Sequence, residues 1–163
     1  FHRPPEAANL IRLLTDSVGE KGTAKRRIFI SRSDAKIRQL LNEEEVMASL
    51  KPFGFESIVL TGMSLTEQIQ VFRGAELVVG PHGAGLANVV FMQPGASVVE
   101  IISPARIWPT FKCIADRGQL NYATIAADSY SIEQTESRGE GNEDITVEAD
   151  TVAKIVESLL KAH

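Results

Sequence analysis

A histidine and two glycines follow a short apolar run in the stretch VVGPHGAGLAN, residues 78–88. Gly83 and Gly85 stand where the apolar pattern changes from that of a strand to that of a helix. Glycine lets the backbone approach a ligand closely, and the N–H groups at a helix start favour an anion. The stretch therefore predicts a phosphate site at Gly83, Ala84 and Gly85, with His82 as a further donor. An ordinary tight turn beside a structural histidine is the alternative.

Polar residues that suit a phosphate also follow the first predicted strand, IFIS, at residues 28–31. Ser31 and Arg32 stand at the end of this strand, and Arg38 and Asn42 follow them. The planar guanidinium group of an arginine donates two parallel hydrogen bonds to a phosphate. Arg32 is the first candidate because it leaves the strand directly. Arg38 also suits a surface residue and Asn42 a helix N-cap, and both alternatives stay open.

A carboxylate interrupts the apolar run VVEII at residues 98–102. An unpaired charge would be costly inside such a run, so Glu100 must have a partner. In dinucleotide-binding folds, a strand-borne carboxylate accepts hydrogen bonds from both ribose hydroxyls. We therefore predict that Glu100 contacts a ribose, with a salt bridge at the strand end as the alternative.

Strands alternate with helices along the chain, and these elements must position the candidate residues. The apolar pattern predicts strands at residues 28–31, 57–60, 77–80, 98–102 and 122–126, and helices that follow Pro5, Asn42 and Ser64 or cover residues 86–91, 108–115 and 149–161. Leu65, Ile69 and Phe72 are expected to face inward. Near-continuous apolar strands predict an α/β, Rossmann-like parallel sheet with helices on both faces. Open α/β sheets bind ligands at the carboxyl ends of their strands, where the candidates lie.

The composition is that of one soluble domain over residues 1–163, with 44% hydrophobic residues and no apolar tract that could span a membrane. The net charge of -4 gives no reason to expect a nucleic acid partner. Cys113, the only cysteine, is expected to be a buried and inert thiol. One unpaired cysteine favours a bacterial cytoplasm, and a eukaryotic Golgi or ER lumen is the alternative. Because the chain begins with Phe1, we expect a preceding segment.

Basic and acidic residues are separated along the chain. Residues 25–38 hold six lysines and arginines against one acid, Asp34, whereas residues 133–150 hold seven acids against Arg138. The acidic run also contains Gly139 and Gly141, so it is predicted to be a mobile loop. The basic run surrounds the end of the first strand, where a small anion would bind.

Two longer stretches carry a family resemblance. RRIFISRSDAKIRQLLNEEEVMASLKPFGFESIVL and SLTEQIQVFRGAELVVGPHGAGLANVVFMQPGASVVEI resemble glycosyltransferase family 61, which includes bacterial capsular-polysaccharide enzymes, plant xylosyl- and arabinosyltransferases and N-acetylglucosaminyltransferases of secreted eukaryotic proteins. The resemblance covers residues 26–101. The residues that match its motifs are Ser31, Arg32, Ser33 and Asp34, then Arg38, Asn42 and Glu43, then Gln68, His82 to Asn88, and Glu100.

The resemblance implies the C-terminal half of a two-domain GT-B glycosyltransferase, with an acceptor domain preceding it. It implies a nucleotide-sugar donor, with a uridine diphosphate sugar favoured, and inverting transfer without a bound metal or cofactor to a hydroxyl of a glycan or glycoprotein. Arg32 would stabilise the leaving diphosphate. The catalytic base is expected in the other domain, so the isolated half would be inactive. The implied donor-binding residues are Ser31, Arg32, Arg38, Asn42, His82, Gly83, Ala84, Gly85, Asn88 and Glu100.

Two other functions stay open. A nicotinamide dinucleotide-binding domain is suggested by the Gly-x-Gly turn and by Glu100. Asn88 counts against it, because the dinucleotide fingerprint has a small residue near this position, and no second glycine-rich turn follows the first strand. The other possibility is a non-catalytic module that binds carbohydrate or protein and binds no nucleotide.

Overall fold

Five parallel strands form the main sheet in the described part of the chain, which comprises residues 11, 13–16, 18, 25–104, 109–130, 132–139 and 142–162 of a computed structural model. The strands are β1 Arg26–Ile30, β2 Phe55–Ile58, β3 Ala75–Pro81, β4 Ser97–Ile102 and β5 Asn121–Ala126. Their order across the sheet is β2-β1-β3-β4-β5. In this doubly wound order the winding direction reverses between β1 and β3, which is where such folds bind ligands. The predicted α/β, Rossmann-like parallel sheet is confirmed.

Helices connect these strands and complete the chain. The α-helices with described bounds are α1 Glu43–Leu50, α2 Leu65–Arg73, α3 Thr110–Arg117, α4 Ile132–Arg138 and α5 Ala149–Lys161, and two 3₁₀ helices cover Lys51–Phe53 and Ala84–Phe91. A short antiparallel pair, β6 Ser129–Tyr130 and β7 Ile145–Thr146, follows β5. Residues 11 and 13–16 are also helical, whereas most of the predicted first helix and the start of the predicted helix at 108–115 lie outside the described residues.

Helices cover both faces of the sheet, because successive strand residues point to opposite sides. Val78 packs in a buried cluster with Phe72 of α2 and with residues of α3 and the Ala84–Phe91 helix. Its neighbour Val79 packs in a second cluster with Val46 of α1 and Val152 of α5. The continuous apolar strands predicted this two-sided burial.

Three local predictions are wrong. β2 begins at Phe55, two residues before its predicted start, because Gly54 ends the preceding 3₁₀ turn in the left-handed region at φ 75. Leu65 is 52% exposed, since it follows the Ser64 cap in the first turn of α2, whereas Ile69 and Phe72 are buried as expected. Cys113 is exposed: Phe111 and Ala115 turn one face of α3 to the core, and Cys113 lies between them on the other face.

The prediction of a mobile acidic loop at residues 133–150 is also wrong. The described part of this segment contains α4, β7 and the start of α5, and Glu143 and Asp144 are buried. Ile145 and Val147 anchor it, because their side chains belong to the same apolar cluster as α1 and α5. The exposed acids of the segment thus surround an apolar anchor.

Candidate functional site

A cleft of about 250 Å³ lies at the carboxyl ends of β1 and β2, beside the start of the Ala84–Phe91 helix. Because β1 and β3 flank the point where the winding reverses, the fold itself predicts a ligand here. Four of the residues predicted from sequence line the cleft, namely Ser31, Arg32, Ala84 and Gly85. The other lining residues are Ile30, Asp34, Ala35, Leu60 and Thr61.

The Arg32 side chain is held by the loop that follows it. Its Nε donates to the carbonyl oxygen of Arg38 at 3.1 Å, and its Nη2 donates to that of Ile37 at 3.0 Å. Burial lowers the pKa of the Arg32 guanidinium, the neighbouring Arg38 cation lowers it further, and Asp34 acts in the opposite direction. Arginine nevertheless stays protonated in proteins. No carboxylate of the described residues forms an ion pair with Arg32, so a half-buried cation lines the cleft.

Gly83 joins the two predicted motifs, because the Arg32 guanidinium lies against it. A Cβ atom at Gly83 would be 2.0 Å from Arg32 Nη1. The backbone of Gly83 is extended, with φ 172, so the glycine is needed for space and not for its conformation. Gly85 is similarly crowded, since a Cβ there would lie 3.0 Å from Leu60 Cδ1 and 3.1 Å from Ile30 Cγ2.

Other members of the basic run have carboxylate partners at the opposite end of the strand. Arg26 Nε is 2.5 Å from Glu56, Arg27 Nε is 2.6 Å from Glu76, and Lys25 Nζ is 3.7 Å from Glu76. These pairs balance the charge at the start of β1. The positive charge available to an anion is thereby concentrated in the loop that follows β1.

Arg38 and His82 line a second, much smaller cavity of about 10 Å³ and not the cleft. Arg38 is one of two non-glycine residues in the described chain with positive φ, at 58, and its buried Nε has no hydrogen-bond partner there. Such a conformation is costly for a residue with a side chain. The structure therefore gives Arg38 two roles, in which its carbonyl group holds Arg32 and its side chain enters a separate pocket.

Glu100 is fully buried and does not line the cleft. His82 Nδ1 bonds its Oε1, and the hydroxyl of Tyr122 donates to its Oε2. The backbone N–H of His82 donates to the Ile101 carbonyl at 2.8 Å. The His82 ring packs on the Phe111 ring, with the two ring centroids 5.1 Å apart. Both carboxylate oxygens thus have partners within the protein, and the contact with His82 agrees with the alternative of a salt bridge at the strand end. The ribose contact stays a prediction.

Two asparagines predicted to bind the donor form hydrogen bonds that connect loops of the protein. Asn88 Nδ2 donates to Gln68 Oε1 at 2.9 Å and to the Gly85 carbonyl at 3.2 Å, which ties the glycine turn to α2. The Asn42 side chain donates to the Val147 carbonyl at 2.8 Å and accepts from its N–H at 3.2 Å. Asn42 precedes α1, but its side chain makes no capping bond. Neither asparagine lines the cleft.

The carboxyl end of the second strand was an expected ligand-binding position, but the candidate residues named from the sequence include none from it. Leu60 and Thr61 follow β2, and Asp34 and Ala35 follow Arg32. The usable signal was the end of β2, since every strand of a parallel sheet presents its carboxyl end at the same edge. In the described chain, no group of three or more His, Cys, Asp or Glu side chains is arranged to hold a metal ion. None of the helices described there is long and apolar enough to cross a membrane.

The order of the strands and the position of the cleft are typical of nucleotide-binding α/β proteins. Comparison with known proteins identifies the family within this class: the family model for Glycosyltransferase 61 matches residues 1–99. The chain belongs to glycosyltransferase family 61, as its motifs predicted.

Individual relatives are similar over about half of the chain. A beta-1,2-xylosyltransferase of Arabidopsis thaliana is 33% identical over 97 residues, 52% of this chain and 18% of the relative. The alpha-1,3-arabinosyltransferase XAT2 of Oryza sativa is 31% identical over 97 residues, which are 58% of this chain and 16% of the relative. A protein O-linked-mannose beta-1,4-N-acetylglucosaminyltransferase 2 of Takifugu rubripes is 39% identical over 79 residues, which are 45% of this chain and 13% of the relative. The matched part of this chain spans less than a fifth of each relative.

These relatives come from plants and a fish. They give no support to the prediction of a bacterial cytoplasm.

Proposed function

We propose that the cleft binds the diphosphate group of a nucleotide-sugar donor, in a protein that transfers the sugar to a hydroxyl group of a glycan or protein. The observation that carries the proposal is Arg32, a half-buried cation that pairs with no described carboxylate and lies against Gly83 where a helix begins. An anion in the cleft would receive hydrogen bonds from this guanidinium and from backbone N–H groups. Membership of family 61 makes a nucleotide diphosphate the anion of choice.

In the proposed reaction, the acceptor hydroxyl attacks the anomeric carbon of the donor sugar as the bond to the diphosphate oxygen breaks. Attack opposite the leaving group inverts the anomeric centre, and a base outside the cleft takes the hydroxyl proton. Negative charge grows on the diphosphate during this step, so Arg32 binds the transition state more strongly than the ground state. The same cation supports transfer without a metal ion. The similarity to a xylosyl-, an arabinosyl- and an N-acetylglucosaminyltransferase supports a pentose or N-acetylhexosamine as the sugar.

Asp34 is a carboxylate that lines the cleft itself, whereas Glu100 does not line it. Asp34 is exposed, it lines the cleft beside Arg32, and its side chain makes no hydrogen bond to the described residues. A carboxylate only accepts hydrogen bonds and repels phosphate, whereas sugar and ribose hydroxyls donate. We assign Asp34 to the hydroxyl groups of the donor.

Calorimetric titration of the chain with uridine diphosphate, inorganic pyrophosphate and NAD, all in EDTA, tests the proposed site. We expect uridine diphosphate and pyrophosphate to bind and NAD to bind more weakly, because the diphosphate of NAD is esterified at both ends and offers fewer negative charges to Arg32. Binding of NAD alone would restore the dinucleotide alternative, and binding of none of the three would favour the non-catalytic module. Binding that appears only after Mg²⁺ or Mn²⁺ is added would overturn metal-independent recognition.

Replacing Asp34 by Asn is expected to change the affinities for two ligands in opposite directions. Pyrophosphate should bind more tightly, because the variant removes a negative charge from the cleft. A uridine diphosphate sugar should bind about tenfold more weakly, because the hydrogen bond to a charged acceptor becomes one to the neutral amide oxygen, a difference of about 1–1.5 kcal/mol. Calorimetry with both ligands measures this, and Asp150→Asn, an exposed residue of α5, is the matched control. Equal changes for the two ligands would remove Asp34 from hydroxyl recognition.

A further inference from the structure

Residues 142–147, here called the acidic strap, dock on the loop that follows β1. The Gln39 N–H donates to Asp144 Oδ1 at 2.9 Å. The backbones of Ile145 and Gln39 are joined by a hydrogen bond of 2.9 Å, and the Leu41 N–H donates to the Ile145 carbonyl at 2.9 Å. This strap lies beyond residue 99, where the family match ends. It reaches the segment immediately after Arg38, whose carbonyl group holds Arg32.

Within the acidic strap, Glu143 is fully buried. Its Oε1 accepts a hydrogen bond from the Ser103 hydroxyl, but its Oε2 has no hydrogen-bond partner among the described residues. Glu143 lines the 10 Å³ cavity together with Arg38, whose buried Nε also has no partner there. A buried carboxylate requires a compensating charge, and the guanidinium group is the permanent cation on this cavity.

The size of the cavity suits a single water molecule between the Arg38 and Glu143 side chains. A volume of about 10 Å³ is close to the minimum that one water molecule needs, and a water also needs at least two polar partners. Arg38 Nε is a donor and Glu143 Oε2 an acceptor, so both sides of a bridging water are present. The positive φ of Arg38 indicates that its surroundings fix this residue, since strained conformations persist only where they are held in place.

We propose that Glu143 is a positioning residue of the proposed donor site. Its carboxylate holds the Arg38 side chain across the small cavity through one water molecule. This contact fixes the two carbonyl groups, of Ile37 and Arg38, that orient the Arg32 guanidinium. The inference rests on the proposed function, because Arg32 is its point of contact with the ligand.

Glu143→Gln distinguishes a residue that positions the loop after β1 from one that only neutralises its charge, because the two roles change the affinity for pyrophosphate in opposite directions. The variant keeps the shape and the acceptor for Ser103 but removes a negative charge. If Glu143 only neutralised the basic loop, losing that charge would tighten pyrophosphate binding. If it positions the loop, binding weakens, and we expect about a tenfold loss, the lower end of what orienting residues contribute at metal sites. Calorimetry on the whole chain measures the affinity, and circular dichroism confirms the fold.

A double-mutant cycle then identifies the route of the effect. Glu143→Gln should add little to the loss caused by Arg38→Ala, because the proposed contact is already broken. Glu136→Gln, an exposed carboxylate of α4, is the charge-matched control and should leave the affinity unchanged. Ser103→Ala loosens Glu143 without removing its charge, so it should weaken binding even if Glu143→Gln does not fold.

Additive losses in the cycle, or tighter binding by Glu143→Gln, would overturn the positioning role while the proposed function stands. If the unmodified chain binds neither uridine diphosphate nor pyrophosphate, the proposed function fails and this inference fails with it.

Discussion

Arg32→Ala is expected to lower the affinity of the chain for uridine diphosphate by about a hundredfold, because truncating one partner of a buried, hydrogen-bonded charge pair costs about 2–5 kcal/mol of binding free energy. The guanidinium is already half-buried and held by two carbonyl groups. Part of its desolvation and ordering therefore takes place during folding, which lowers the cost of binding the ligand. Calorimetry at constant salt measures the loss, and thermal unfolding shows whether the fold is retained.

Two further variants test whether the loss of affinity comes from the Arg32 guanidinium in the cleft and not from a general change of charge. Gly83→Ala should reproduce most of the loss, because the new methyl group would lie 2.0 Å from Arg32 Nη1 and would displace the guanidinium. It should add little in the Arg32→Ala background. Arg26→Ala removes an arginine that pairs with Glu56 at the other end of β1, and we expect affinity close to that of the unmodified chain. An equal loss in Arg26→Ala would show a general charge effect and would remove Arg32 from the site.

The sequence predicted the cleft because its wall comes from residues whose position depends on the strand pattern. Ser31 and Arg32 follow a buried strand, and Ala84 and Gly85 open the helix after another, so both pairs belong at the carboxyl edge of the sheet. The parallel arrangement followed from apolar strands that alternate with helices. It did not require knowledge of which strands are neighbours.

The roles of the other motif residues depend on side-chain partners that spacing does not specify. An asparagine such as Asn88 suits a ligand contact and a loop brace equally well, and only its bond to Gln68 distinguishes them. Glu143 was missed for a related reason, since an acidic, glycine-containing run has the composition of a solvated loop. The alternating Ile145 and Val147 were the available signal that part of this run is anchored in the core.

Replacing Glu100 by Ala is expected to lower the free energy of unfolding by about 3–5 kcal/mol, because each buried polar group left without its partner costs about 1–3 kcal/mol and the lost side chain leaves a cavity. Glu100 is fully buried between His82 and Tyr122, so its loss leaves two polar groups without their partner and a cavity beside them.

For a chain of this size, the loss of Glu100 corresponds to a fall in the midpoint of thermal unfolding of about 10 °C. Calorimetric melting measures it, and Glu157→Ala, which breaks an exposed pair with Lys161 on α5, is the control that should change stability little. Uridine diphosphate affinity, measured well below the melting temperature, separates the two interpretations of this residue. If Glu100 braces the histidine turn from within the core, stability falls while the folded variant still binds. A stable variant that no longer binds uridine diphosphate would instead support the predicted contact between Glu100 and the ribose.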